Sequence, residues 1–204
     1  MLQTSGGGVA LDEFYPNWAK KRIELGIPLD AFVLISVGEL NANKNNKVII
    51  EAIAKLQNEN IHYCLCGVGP YEDELKEMAY QIGIAAQIHL LGYRTDVKEL
   101  LHLANVYVMP SLREGLSRSI MEAMAGGLPC IVSDIRGNRD LIDNGQGGFL
   151  CKPNSVEGHV FAVNNLLISN DKRVEMGRYN IKKVKCFDEG IVTEYLEKIY
   201  MMNY

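Results

Sequence analysis

The chain has 204 residues, 48% hydrophobic and 23% charged, close to the usual make-up of a globular domain. A chain of this length buries about 70% of its unfolded surface, which excludes disorder and a small disulfide-stapled scaffold. The formal net charge of −4 removes the uniform basic field of a nucleic-acid binder, so no nucleic-acid partner is expected.

The opening Met1-Leu2-Gln3-Thr4-Ser5-Gly6-Gly7-Gly8 has neither the charged leader nor the apolar core of a secretory signal. Phe32–Val37 is a continuous apolar run ending at Gly38, the pattern of a strand buried on both faces. Ile49, Ala52, Ile53 and Leu56 then share one helical face. Ile61–Cys66 reads as a second strand, closed by Gly67-Val68-Gly69-Pro70. Leu75, Met78, Ala79 and Ile82 form a helical stripe, with Glu72, Asp73 and Glu74 suited to its positive end. Residues 87–91 predict a third strand, and Val97, Leu100, Leu101 and Ala104 the next helix. A strand at Val106–Met109, a helix over 119–125 and a strand at 130–132 follow. From Val156 the pattern is helical only, with Val160, Val163, Asn164 and Leu167 on one face and Val192, Tyr195, Leu196 and Ile199 on another.

Such alternation with short connections predicts right-handed βαβ units: an α/β, Rossmann-like, doubly wound parallel sheet with C-terminal helices. Ligands in such folds sit beyond the carboxyl ends of the strands, against helix N-termini. The loops of interest are therefore 38–46, 67–71, 92–96, 110–118 and 133–140. The longest apolar runs are strand-sized, far from the roughly 20 residues of a membrane span. The five cysteines have irregular spacing and no C-x-x-C, which reads as free buried thiols in a reducing cytoplasm. His62, His89, His102 and His159 show no metal-ligand spacing, and the sequence has no D-x-D. No metal and no cofactor are expected.

The segment PSLREGLSRSIMEAMAGGLP, from Pro110 to Pro129, follows a buried strand and leads into a helix. Gly115 lets the backbone approach a ligand closely. The amides of Gly115, Leu116 and Ser117 would lie near the helix start, aimed at an anion. Glu114 precedes that turn and Glu122 lies inside the helix, as a cradle with a carboxylate on either side. A local alternative stays open: Ser119-x-x-Glu122 and Ser111-x-x-Glu114 both fit a capping box.

The whole segment PSLREGLSRSIMEAMAGGLPCIVSD, with E-x7-E between Glu114 and Glu122, resembles the signature of retaining glycosyltransferases of the GT-B type, group 1 or family 4. SVGELNANKN at 36–45, CGVGPYEDEL at 66–75, LGYRTDVKELLHLANVYVMPS at 91–111 and IRGNRDLIDNGQGGFL at 135–150 resemble further blocks of that family, in the same order. The likeness extends over about residues 9–200.

Members of the family have two Rossmann-like domains, the first holding the acceptor and the second the nucleotide-sugar donor. The resemblance implies that residues 16–204 are the donor-binding domain, that 1–15 are an interdomain lead-in, and that the acceptor domain is missing from this chain. By the same likeness Glu114 is the catalytic carboxylate beside the donor sugar, and Glu122 accepts from the ribose hydroxyls. Gly115, Leu116 and Ser117 hold diphosphate or hexose through their amides, and Lys44 is the phosphate lysine beside Gly38. The backbone at Tyr93 and Arg94, with the Gly67 and Gly69 turn, flanks the base and diphosphate. The family pattern carries Arg directly after the first-strand glycine; here the residue is Glu39, and Arg118 is a candidate substitute.

The implied reaction is transfer from a nucleotide-sugar, with a UDP-sugar the expected donor, to a glycan or lipid-linked acceptor in surface polysaccharide synthesis. The implied location is cytoplasmic, with peripheral association of the whole protein at the inner face of the membrane, although no basic amphipathic helix is apparent. A UDP-sugar epimerase-like enzyme and a nucleotide-binding module without catalysis remain alternatives. A dinucleotide dehydrogenase is disfavoured because no G-x-G-x-x-G follows the first strand.

Overall fold

The structure, a computed structural model, describes residues 17–187. Its strands are β1 (Phe32–Val37), β2 (Ile61–Cys66), β3 (Ile88–Gly92), β4 (Val106–Met109), β5 (Cys130–Ser133) and β6 (Gly148–Cys151). Its helices are α1 (Asn17–Glu24), α2 (Lys47–Leu56), α3 (Glu72–Ile82), α4 (Val97–Leu103), α5 (Arg118–Ala125), α6 (Arg136–Leu141), α7 (Val156–Leu167) and α8 (Asn170–Val184). The expected lead-in at 1–15 and the expected face of Val192, Tyr195, Leu196 and Ile199 lie outside the described residues.

The six strands form one parallel sheet in the order β3-β2-β1-β4-β5-β6. Side chains alternate across a strand, so the run at β1 feeds two cores. Val33 and Ile35 face the α4 and α5 side with Leu100, Ile120 and Ala123. Phe32 and Leu34 face the α2, α3 and α7 side with Ile49, Ile53, Leu75 and Val163. Burial on both faces is what the unbroken apolar run required.

Strand order reverses between β1 and β4, since the chain leaves β1 for α2 on one face and leaves β4 for α5 on the other. The two departing loops open a crevice at the carboxyl ends of these strands, the place where doubly wound sheets bind ligands.

Three elements were not expected from the sequence: α1, α6 and β6. Helix α1 is fixed by Arg22, whose guanidinium donates to the carbonyls of Leu103 (2.6 Å), Leu29 (2.8 Å) and Ala31 (2.8 Å). Helix α6 occupies most of what was expected to be the 133–140 loop. The thiols of Cys64, Cys66, Cys130 and Cys151 are buried and free, whereas Cys186 is exposed, contrary to its expected burial. Burial pushes the Cys66 and Cys151 thiols up to about 12, which leaves them inert at neutral pH.

Candidate functional site

The crevice between β1 and β4 is walled by Ser36, Gly38, Glu39, Lys44, Met109 and Ser111, among others. On the β1 side, Asn41 caps a short 3-10 turn, Ala42–Lys44, by accepting from the Lys44 amide at 3.1 Å. That turn brings the Lys44 side chain back over Gly38, where an added Cβ would stand 3.0 Å from Lys44 Cε. Lys44 Nζ then donates to Glu114 Oε1 at 2.7 Å. The pair is mostly shielded, with side-chain exposures of 21% and 15%.

Glu114 lies on the loop that leaves β4. Among the described residues, the amides of Gly115, Leu116 and Ser117 donate to no protein acceptor. Ser117 is the N-cap of α5, yet its hydroxyl does not cap the helix. It lies instead at 3.5 Å from Met109 Sδ and 3.2 Å from Ser119 Oγ. Neither capping box forms. Ser119 is already inside α5, where its hydroxyl accepts from Tyr107 at 2.8 Å, and Ser111 Oγ is buried without a partner. The three amides therefore stay available for a polar ligand, while the Ser111 hydroxyl is buried in the crevice wall.

Gly115 has open space around it, since an added Cβ would meet nothing within 4 Å. Behind it, Gly137 of α6 packs so closely that its own Cβ would fall 2.1 Å from the Gly115 carbonyl oxygen. Gly137 holds the loop from the rear and was not expected from the sequence.

Gly38, Glu39, Gly67, Val68, Gly69, Tyr93 and Arg94 line a second cleft of about 490 Å³ beside the first. Gly67 and Gly69 have a structural duty there before any ligand is considered. A Cβ on Gly67 would fall 1.9 Å from the Gly38 carbonyl oxygen, and one on Gly69 would fall 2.3 Å from that of Leu40. Their absence of side chain lets the turn after β2 lie against the loop after β1. Tyr93 is 79% exposed at the mouth of this cleft. The Arg94 guanidinium is committed to Asp96 through two bonds, 2.8 and 2.6 Å, and Lys21 joins the same carboxylate at 2.8 Å. The Arg94 and Lys21 bonds hold the Asp96 carboxyl far below the usual carboxylate range. Tyr93 and Arg94 line the cleft, while the Arg94 charge is engaged by Asp96.

Glu122 stands apart from Glu114. It lines a hollow of about 210 Å³ with Lys98, Leu101, His102, Ala125 and Gly126, and accepts from Arg118 Nε at 3.1 Å. Arg118 is accordingly occupied along the helix at the i,i+4 spacing. Glu39 lines both clefts and accepts from Asn41 Nδ2 at 2.8 Å. Among the described residues, Lys44 is the cation that lines the β1–β4 crevice. Among the described residues, no group of three or more His, Cys, Asp or Glu side chains could hold a metal ion. No helix among them is long and apolar enough to cross a membrane.

The chain belongs to the glycosyl transferases group 1 family, whose model matches residues 18–183. It is 32% identical over 201 residues to EpsD of Bacillus subtilis (strain 168), a match covering 96% of this chain and 53% of that protein. It is 33% identical over 193 residues to the Escherichia coli UDP-Gal:alpha-D-GlcNAc-diphosphoundecaprenol alpha-1,3-galactosyltransferase, covering 86% of this chain and 50% of the relative. The chain therefore spans about half the length of the curated relatives it matches. Its fold matches that of HepE from Anabaena, solved in complex with UDP, with a TM-score of 0.83 at 23% identity, over 92% of this chain and 52% of that one. The expected Rossmann-like α/β fold of the GT-B type holds.

Proposed function

We propose that this chain is the donor-binding domain, residues 16–204, of a retaining glycosyltransferase that uses a UDP-sugar. The observation that carries the reading is Lys44 paired with Glu114 at the strand-order switch, beside three amides with no protein acceptor. Breaking the bond between the anomeric carbon and the phosphate oxygen leaves negative charge on the diphosphate. Donors aimed in advance stabilise that charge without reorganising. Lys44 and the amides of Gly115, Leu116 and Ser117 supply them, so the reading calls on no metal.

In this reading Glu114 meets the sugar hydroxyls, and Glu122 accepts from the ribose diol, which a carboxylate suits because it offers lone pairs on two oxygens. The base lies along the cleft of Gly67, Gly69, Tyr93 and Arg94. An acceptor hydroxyl attacks the anomeric carbon on the face that the leaving group vacates, and its proton passes to the leaving phosphate. The acceptor, a glycan or lipid-linked sugar, is held by an N-terminal domain of the kind that completes the longer relatives. The Escherichia coli relative is named for a diphosphoundecaprenol-linked acceptor. By that likeness the whole protein works in surface polysaccharide synthesis, in the cytoplasm at the inner face of the membrane.

Calorimetry of the chain with UDP, GDP, ADP and NAD, in the presence of a chelator, tests the donor assignment. Binding of UDP supports it; a response to NAD alone refutes it. An inverted product from the full-length enzyme refutes the retaining assignment. Glu39, an acidic residue in the lining of both clefts, favours a second reading in which the domain binds nucleotide without transferring sugar. Turnover by the full-length protein separates the two.

A further inference from the structure

The run Asn41-Ala42-Asn43-Lys44-Asn45-Asn46 is rich in asparagine around the one residue with an assigned charge role. Each asparagine side chain braces a different neighbour. Asn41 caps the turn that carries Lys44, Asn45 donates to the carbonyls of Pro110 (3.2 Å) and Pro153 (2.9 Å), and Asn46 accepts from Tyr63 at 2.9 Å. Asn43 does something distinct. Its amide nitrogen donates to the Arg113 carbonyl at 2.9 Å, and its amide oxygen accepts from the Arg113 N–H at 3.1 Å. Its own carbonyl also accepts from the Leu112 N–H at 2.8 Å.

A primary amide that both donates to and accepts from one backbone residue fixes distance and orientation together. Asn43 immediately precedes Lys44, and Arg113 immediately precedes Glu114. The clamp therefore sets both members of the ion pair at once, across 70 residues of chain. Its bonds lie at the surface, where an intramolecular hydrogen bond adds little net stability. Two side-chain bonds and one main-chain bond at an exposed junction are explained by what they position.

We propose that Asn43 is a positioning residue of the donor site: it touches no substrate and acts through Lys44 and Glu114. The inference rests on the reading of the chain as a UDP-sugar-binding domain. The test uses the chain itself, with UDP as the probe and calorimetry as the readout, alongside thermal unfolding. Asn43→Ala should leave the unfolding temperature close to that of the unmodified chain and weaken UDP binding about 5- to 10-fold. Asn43→Asp keeps an acceptor toward the Arg113 N–H but faces the Arg113 carbonyl with a carboxylate that repels it, so it should weaken UDP binding at least as much, and it still tests the idea should Asn43→Ala not fold. In a Lys44→Ala background, Asn43→Ala should cost nothing further, because the group it positions is gone.

Losses that add in full, or UDP affinity untouched by both Asn43 substitutions, overturn the positioning role while leaving the donor assignment standing. An unmodified chain that binds no UDP overturns both.

Discussion

Lys44 Nζ and Glu114 Oε1 lie 2.7 Å apart, joining two loops on opposite sides of the strand-order switch. Each group is held by the other, and in the proposed reading each is drawn off by a different part of the donor: the diphosphate attracts the lysine and the sugar hydroxyls attract the carboxylate. A donor that enters here must compete for Lys44 with a carboxylate already in place. The two residues therefore make opposite predictions for binding.

Lys44→Ala removes the cation and should weaken UDP binding by about 1.5–3 kcal/mol, the range for a hydrogen bond to a charged group. Glu114→Gln removes the competing charge, so UDP binding should stay the same or tighten while transfer by the full-length enzyme falls. Calorimetry with UDP checks the first half and product formation the second. Parallel losses of UDP affinity in both variants would sink this division of labour.

Glu122 lines a hollow that does not include Glu114, and the proposed reading assigns it to the ribose. Glu122→Ala should weaken UDP binding about tenfold, again on the scale of a charged hydrogen bond. The same substitution should have no effect on binding of a 2′,3′-dideoxy UDP analogue, which offers no diol. An equal loss with both nucleotides would remove Glu122 from ribose recognition.

Strands were legible where apolar runs were long enough. Val33 to Ile35, for example, is buried on both sides and reads as such in isolation. Strand β6 starts on the second of two adjacent glycines and has partly exposed central residues, so it lacks the apolar contrast that marks β4 and β5 at the same length. Helix α6 carries Gly137 near its start and reaches a buried apolar residue only at Leu141. The candidate site was marked in the sequence as motifs: Lys44, Glu114 and the amides after it meet at the strand-order switch. What joins them was not. The Lys44–Glu114 pair and the Asn43 clamp each connect residues 70 apart, and local patterning carries no information about that distance. Gly137 meets Gly115 only because α6 packs behind the loop.

Two glycines in contact should respond oppositely to the same added methyl group. Gly137→Ala places a Cβ 2.1 Å from the Gly115 carbonyl oxygen and 2.7 Å from that of Glu114. The loop must move, at a cost of about 1–3 kcal/mol in stability. Gly115→Ala meets nothing within 4 Å and has no left-handed backbone to strain, so stability should hold near that of the unmodified chain. UDP binding should nevertheless fall, because the proposed reading brings the nucleotide against the backbone there. Urea unfolding and calorimetry of both variants check the pair; Gly115→Ala binding UDP at full strength would mean that no ligand comes close to this turn.

Acid should weaken the sheet edge through His62 and His89. His62 Nδ1 and His89 Nε2 are 2.8 Å apart with the rings stacked at 5.1 Å, across neighbouring strands β2 and β3. One nitrogen must donate and the other accept, and a proton added to the acceptor would set two N–H groups against each other. Burial, then the neighbouring His62, pushes His89 down to about 4 from the ordinary 6.5. Burial and the Arg22 charge also lower His62, against a smaller pull from Asp30. A histidine whose folded-state value is depressed binds fewer protons folded than unfolded, so its stabilising share is intact above about 6.5 and is lost as pH falls toward about 4. His159, buried on α7 and lowered by burial, acts in the same window. The Asp96 carboxylate acts only below the usual carboxylate range and leaves that window clear. The urea midpoint should therefore drop between neutral pH and about pH 5. His89→Gln should reduce that slope without abolishing it, since His159 remains. A slope unchanged by His89→Gln would show that the pair does not govern the acid response.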